Sequence, residues 1–158
     1  MFESRQILNL KLREVLDLLD ENQVELESVE RAIKDQELKQ VILQLMCKNR
    51  EYAQQLLANL LPDGSSCRTL KRYTGVHSPA GGNHLISKEE LLEKCKKEES
   101  AFEKTYREVL NTSNLQDGLR QMMQLQLNEL KTLFLKIRIN YMVKCKMLSP
   151  YTLRKNYS

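Results

Sequence analysis

The chain has 158 residues, of which 41% are hydrophobic and 29% charged, with five Gly, three Pro, no Trp and a formal net charge of +4. This length favours one domain around one core, and an excess of Leu, Gln, Glu and Lys favours helices. The same figures exclude a collagen, a disulfide scaffold and a fully disordered chain.

The first periodic segment covers about 4–33, with an apolar stripe of Leu8, Leu12, Val15, Leu16, Leu19, Leu26, Val29 and Ile33 at spacings of three and four. Asp35 then offers an N-cap for a second helix over 36–61, whose stripe is Leu38, Val41, Ile42, Leu45, Tyr52, Leu56 and Leu60. So short a connection predicts an antiparallel hairpin. Leu61-Pro62-Asp63-Gly64 stops the second helix, and 62–86 is rich in Gly, Ser and Pro.

Ser87 with Glu90 forms a capping box for a third helix over 88–110, with Leu91, Leu92, Cys95, Phe102, Tyr106, Val109 and Leu110 on one face. A polar turn at Asn111-Thr112-Ser113-Asn114 leads to a fourth helix over 115–148, carrying Leu119, Met123, Leu130, Leu133, Phe134, Ile137 and Tyr141. Gly118 in its first turn is a minor defect. The expected domain is therefore an all-α four-helix bundle over 1–148 with a basic tail at 149–158. An up-down-up-down bundle needs no connection as long as 62–86. A crossover that returns along the bundle and makes the second and third helices parallel does need it.

No apolar run approaches the roughly 18 residues of a membrane span. Met1-Phe2-Glu3-Ser4-Arg5 lacks the apolar stretch of a signal peptide. Cys47, Cys67, Cys95 and Cys145 are widely spaced without a CxxC pair. Free thiols and a cytoplasmic location are the resulting expectation.

From Lys131 to the last residue lie seven of the 25 Lys and Arg and none of the 21 Asp and Glu. The simplest reading is that these cations complement the carbonyl end of a long helix. The alternative is a basic end that holds an acidic protein partner. Nucleic acid is not expected, because Tyr141, Tyr151 and Tyr157 follow no recognisable reading motif.

In the third helix, Cys95 is followed by Glu99 four residues later and by Tyr106 seven after that. With Asn22 and Glu27 in the first helix, Ala32-Ile33 and Leu38-Lys39 around the first turn, and Glu129-Leu130-Lys131 in the fourth, this resembles the ferritin-like superfamily. More narrowly it is similar to a bacterial ferritin-like four-helix family of unknown function. The resemblance implies two antiparallel hairpins joined by a long crossover, and loosely a stress-associated role. Lys48, Ser100 and Phe134 stand where the family pattern often carries an acid, an acid and a His, which puts any metal chemistry of the family in doubt here.

A di-iron bundle uses a Glu from each of two helices and a Glu-x-x-His from each of the others. Here Glu51-x-x-Gln54 and Glu129-x-x-Thr132 lack the nitrogen ligand, and the only histidines, His77 and His84, fall in the crossover. No metal or other cofactor is expected. The candidates for a residual iron or manganese site are Glu27, Glu99 and Glu129, whose carboxylates would suit a hard cation.

Gln23, Asn49, Glu99 and Gln126 interrupt the four stripes near mid-helix. One reading is a hydrogen-bonded layer that fixes helix register, with Tyr52 or Tyr106 donating to Glu99. A small polar pocket for a ligand, or solvent exposure through helix rotation, are the alternatives. Cys95 reads as core packing, Met122 and Met123 as gap fillers, and no phosphate loop or hydrolase triad is present. The expected function is a non-catalytic structural or interaction protein. The ends of the long helices near Leu8 and Tyr141 are expected to pack against another subunit, in a homodimer, or against the crossover. The alternatives are a carboxylate-bridged metal protein acting on oxygen or peroxide, and a binding module using the basic end.

Overall fold

The computed structural model describes residues 2–60 and 87–147, which form four helices: α1 (Phe2–Ala32), α2 (Gln36–Asn59), α3 (Lys88–Leu110) and α4 (Asp117–Met147). No strand occurs among the described residues. The expected crossover over 62–86, with His77 and His84, and the basic tail over 149–158 lie outside the described residues, as does the side chain of Cys145.

Local chemistry sets the helix ends. Asp35 is extended, and its carboxylate accepts from the N–H groups of Glu37 and Leu38 at 3.0 and 3.4 Å, supplying partners that the first turn of α2 lacks. Ser87 Oγ does the same for Glu90 N–H at 3.1 Å. Two expected ends shift. The second helix closes at Asn59 and not at 61, because Leu60 leaves helical geometry, donates back to the carbonyls of Leu56 and Leu57, and buries its side chain. The fourth starts at Asp117 and not at 115, because Asn114 takes a positive φ of 60°. Asn tolerates that conformation better than most residues. Leu115 then drops into the core before α4 begins.

Each helix packs along two others, through the seams α1–α2, α1–α3, α2–α4 and α3–α4. Cross-seam partners fix the sense of each pair. Across α1–α2, Glu30 meets Lys39 while Asn22 meets Asn49. Across α2–α4, Asn59 meets Met122, Gln55 meets Gln126 and Lys48 meets Glu129. Across α3–α4, Leu110 meets Arg120, Glu103 meets Lys131 and Glu99 meets Arg138. Across α1–α3, Lys11 meets Glu108 and Thr112, and Glu25 meets Glu98. Numbers rise on one helix as they fall on its neighbour, so every seam is antiparallel.

The apolar stripes converge on one core, in which Leu12, Leu16, Leu19, Ile42, Leu45, Leu56, Met123, Leu130 and Ile137 are fully buried. Phe102 anchors its α3–α4 side, with ring centroids 5.8 Å from Phe134 and 6.3 Å from Tyr106. Leu8 and Tyr141 are half-buried within the chain itself. Two cations brought by neighbouring helices close the carbonyl end of α3. Arg120 donates to the Leu110 carbonyl at 2.9 Å and Lys11 to the Glu108 carbonyl at 3.2 Å.

Candidate functional site

The polar positions at mid-helix turn inward. Asn22, Gln23, Asn49, Tyr52, Tyr106 and Gln126 are all buried, a placement that costs free energy unless each polar atom finds a partner. Between α1 and α2, the Asn49 amide donates to Asn22 Oδ1 at 2.8 Å. Gln23, oriented so that both ends are satisfied, donates to the Met46 carbonyl and accepts from Arg50 Nε, each at 3.1 Å. Asn49 Oδ1 has no hydrogen-bond partner among the described residues.

A second network spans the other helices. Tyr106 on α3 donates its hydroxyl proton to Gln126 Oε1 on α4 at 2.8 Å, and Gln126 Nε2 donates to Gln55 Oε1 on α2 at 2.8 Å. This relay joins three helices through one buried amide. Beside it, the Tyr52 hydroxyl donates to the Glu129 carboxylate, which also meets Lys48 Nζ at 3.3 Å. Burial pushes the Tyr52 hydroxyl well above its ordinary range, and the hydrogen bond to Glu129 adds to that. The same hydrogen bond, with Lys48, holds the Glu129 carboxyl below its usual value.

Glu99 departs from the expected layer. It is not the acceptor for either tyrosine. It lies at the α3–α4 edge with its side chain 16% exposed, paired with Arg138 at 3.1 Å. Gln126 takes the tyrosine proton in its place, because it sits fully inside the seam whereas Glu99 is turned toward the arginine. Gln55 and Asn22 join the network although the layer as read from the sequence omits them.

The three candidate metal ligands do not converge. Glu27 faces Arg50 across α1–α2 at 4.0 Å, Glu99 faces Arg138 across α3–α4, and Glu129 faces Tyr52 and Lys48 across α2–α4. Each carboxylate faces a cation across its own seam. Among the described residues no group of three or more His, Cys, Asp or Glu is placed to hold a metal ion.

Cys95 is buried, and desolvation raises its thiol to about 12, so it packs as an apolar residue and is a poor thiolate. Cys47 is a free, exposed thiol. It lines a groove of about 470 Å³ between α2 and α4, together with Gln44, Lys48, Asn128, Glu129, Thr132, Leu133 and Lys136. Along the outer face of α4, Leu125, Leu135, Ile139, Met142 and Val143 are exposed. The apolar stripe read for the fourth helix misses this second set. Its signal is the seven-residue spacing Leu125, Thr132, Ile139, which places three residues on one line of the helix away from the core stripe.

No protein-family model, curated protein or solved structure matches the chain. The functional reading therefore rests on these residues alone.

Proposed function

We propose that the chain is a non-catalytic structural and interaction protein of the cytoplasm, with ferritin-like connectivity and no resident metal. Two hairpins, α1–α2 and α3–α4, are joined by a crossover through 62–86. The support for this connectivity is that all four seams are antiparallel, so α2 and α3 point the same way. The link between them must travel the length of α3, about 35 Å at 1.5 Å per residue, and extended chain at about 3.3 Å per residue spans that easily.

The observation that carries the non-catalytic reading is the use made of the carboxylates. Glu27, Glu99 and Glu129 each face a cation on the neighbouring helix. Recruiting them to one ion would break three cross-seam pairs and leave Arg50, Arg138 and Lys48 facing the metal. Polar contacts at the centre of the bundle then act on register, since only one alignment of α2, α3 and α4 completes the Tyr106–Gln126–Gln55 relay.

The test is consumption of oxygen and of peroxide by protein incubated with ferrous iron or with manganese. The expected result is no turnover beyond that of the free metal. Turnover that disappears in Glu99→Gln or Glu129→Gln would overturn the reading in favour of a carboxylate metal protein.

A further inference from the structure

We propose that the outer face of α1 is the docking surface for the 62–86 connection, whose cations Arg68, Lys71 and Arg72 meet Glu14, Asp17 and Glu21 there. This inference rests on the ferritin-like connectivity proposed above and names the surface that holds its crossover.

Only two routes are open to the connection. α2 and α3 share no seam, so they stand at opposite corners of the bundle, with α1 and α4 at the other two. The interior is filled by buried side chains such as Leu16, Leu45, Phe102 and Leu130. A chain that leaves the end of α2 for the start of α3 therefore crosses the outside of α1 or of α4. The seams give the stretch of each helix that it passes. Asn59, at the end of α2, lies beside Met122 of α4. Asn49 meets Asn22, so the end of α2 is level with about residue 12 of α1. At the other end, Glu98 lies beside Glu25 and Glu99 meets Arg138, which brings the start of α3 level with the ends of α1 and α4.

Charge separates the two routes. From 12 to 30, α1 carries seven acids and one cation, Arg13. From 122 to 147, α4 carries one acid, Glu129, and five cations. Seam pairs account for part of each set. On α1, Glu27 faces Arg50 and Glu30 faces Lys39, while on α4 Lys131 pairs with Glu103, Arg138 with Glu99 and Glu129 with Lys48. Beyond those pairs α1 exposes Glu14, Asp17 and Glu21, at i, i+3 and i+7 along one face, whereas α4 exposes Lys136 and no carboxylate. Neither Glu14 nor Glu21 forms an ion pair among the described residues. The connection holds Arg68, Lys71 and Arg72 against Asp63 alone. Its cations meet opposite charge over α1 and like charge over α4. Reach agrees with this route. Arg68 is eight residues beyond Leu60, about 26 Å of extended chain, and the three acids span about 10 Å of α1.

The experiment uses Cys67 of the connection as a reporter in the full chain, with Cys47→Ser and Cys145→Ser and with the buried Cys95 retained. One cysteine is added by Leu10→Cys on α1 or by Leu125→Cys on α4, positions that are each 58% exposed and near the level of the end of α2. Cross-linking by a short bismaleimide is followed by mass spectrometry of the digested chain, and circular dichroism confirms that each variant is folded. The expected result is intramolecular cross-linking of Cys67 in the Leu10→Cys chain at least tenfold faster than in the Leu125→Cys chain. Glu14→Lys, Asp17→Lys and Glu21→Lys together slow it at least fivefold, as does raised salt. Adding Arg68→Glu, Lys71→Glu and Arg72→Glu to that variant restores it. Equal or faster cross-linking in the Leu125→Cys chain overturns the inference. So does indifference to the charge reversal, or a cross-linked dimer in place of the monomer. The connectivity is tested separately by Lys11→Cys with Thr112→Cys, since these side chains meet where α1 and α3 run antiparallel. Failure of that pair to cross-link defeats the connectivity, whereas its closure with no preference of Cys67 for α1 defeats the inference alone.

Discussion

Glu98 on α3 is half-buried against the Glu25 carboxyl of α1, with Glu21 also nearby. Desolvation first, and then the hydrogen bond and repulsion from Glu25, push its carboxyl up to about 7, while Lys94 pulls weakly the other way. The folded chain thus holds a proton that the unfolded chain releases near the ordinary carboxyl value of 4.5. Between those two values stability falls as pH rises, and above about 7 that contribution is gone. Glu98→Gln keeps the shape and removes the titration. We expect urea unfolding of this variant to lose the slope between pH 5 and 7.5. Its stability at pH 8 should rise by about 1 kcal/mol, a figure reduced for solvent screening at a half-exposed site. A parent-like pH profile would show that the pair does not share a proton. At this scale the sequence is only partly legible. Gln23, Asn49 and Gln126 stand out as polar residues on apolar faces, and all three are buried. Their partners do not stand out, because hydrogen-bond choice depends on rotations of tens of degrees that decide between Gln126 and Glu99 as the tyrosine's acceptor.

At the scale of the element, periodicity transmits most of the information. Every apolar residue of the four stripes is buried or half-buried, since spacings of three and four define one helical face whatever the neighbours are. Met46, Ala53, Leu115 and Leu127 are buried too, outside the stripes as read, where two seams meet and a wider face is covered. Ends depend on single residues, which is why Asp35 and Ser87 are legible as caps while Leu60 and Asn114 move the ends of α2 and α4. The Asp35 cap connects α1 to α2 in the space of three residues, so it contributes both to the helix and to the hairpin. Asp35→Ala leaves two amides without their acceptor and should cost about 1 kcal/mol in chemical denaturation. Asp35→Asn should restore most of it, and equal losses in both variants would mean that charge matters here and capping does not. The exposed line Leu125, Thr132, Ile139 is legible only as a seven-residue spacing, and the core stripe masks it, because a helix apolar on two faces looks in sequence like one with a broad core face.

For the whole molecule, the seams explain why polar residues persist in an interior of this size. Helix faces rich in Leu can slide by a turn with little change in buried area, whereas the Tyr106–Gln126–Gln55 relay and the Tyr52–Glu129–Lys48 group are complete in one alignment. An all-helical four-membered arrangement is legible from stripes and breakers. The separation of Glu27, Glu99 and Glu129 onto three seams is not, since it follows from how all the helices rotate together. That separation is the centre of the account, and the metal content of the purified protein tests it most directly. The chain should be expressed with added iron and manganese, purified without chelators or a metal-binding tag, confirmed as folded, and measured by elemental mass spectrometry. The account predicts far less than one metal ion per chain. One or two ions per chain, lost on Glu99→Gln or Glu129→Gln, would contradict it.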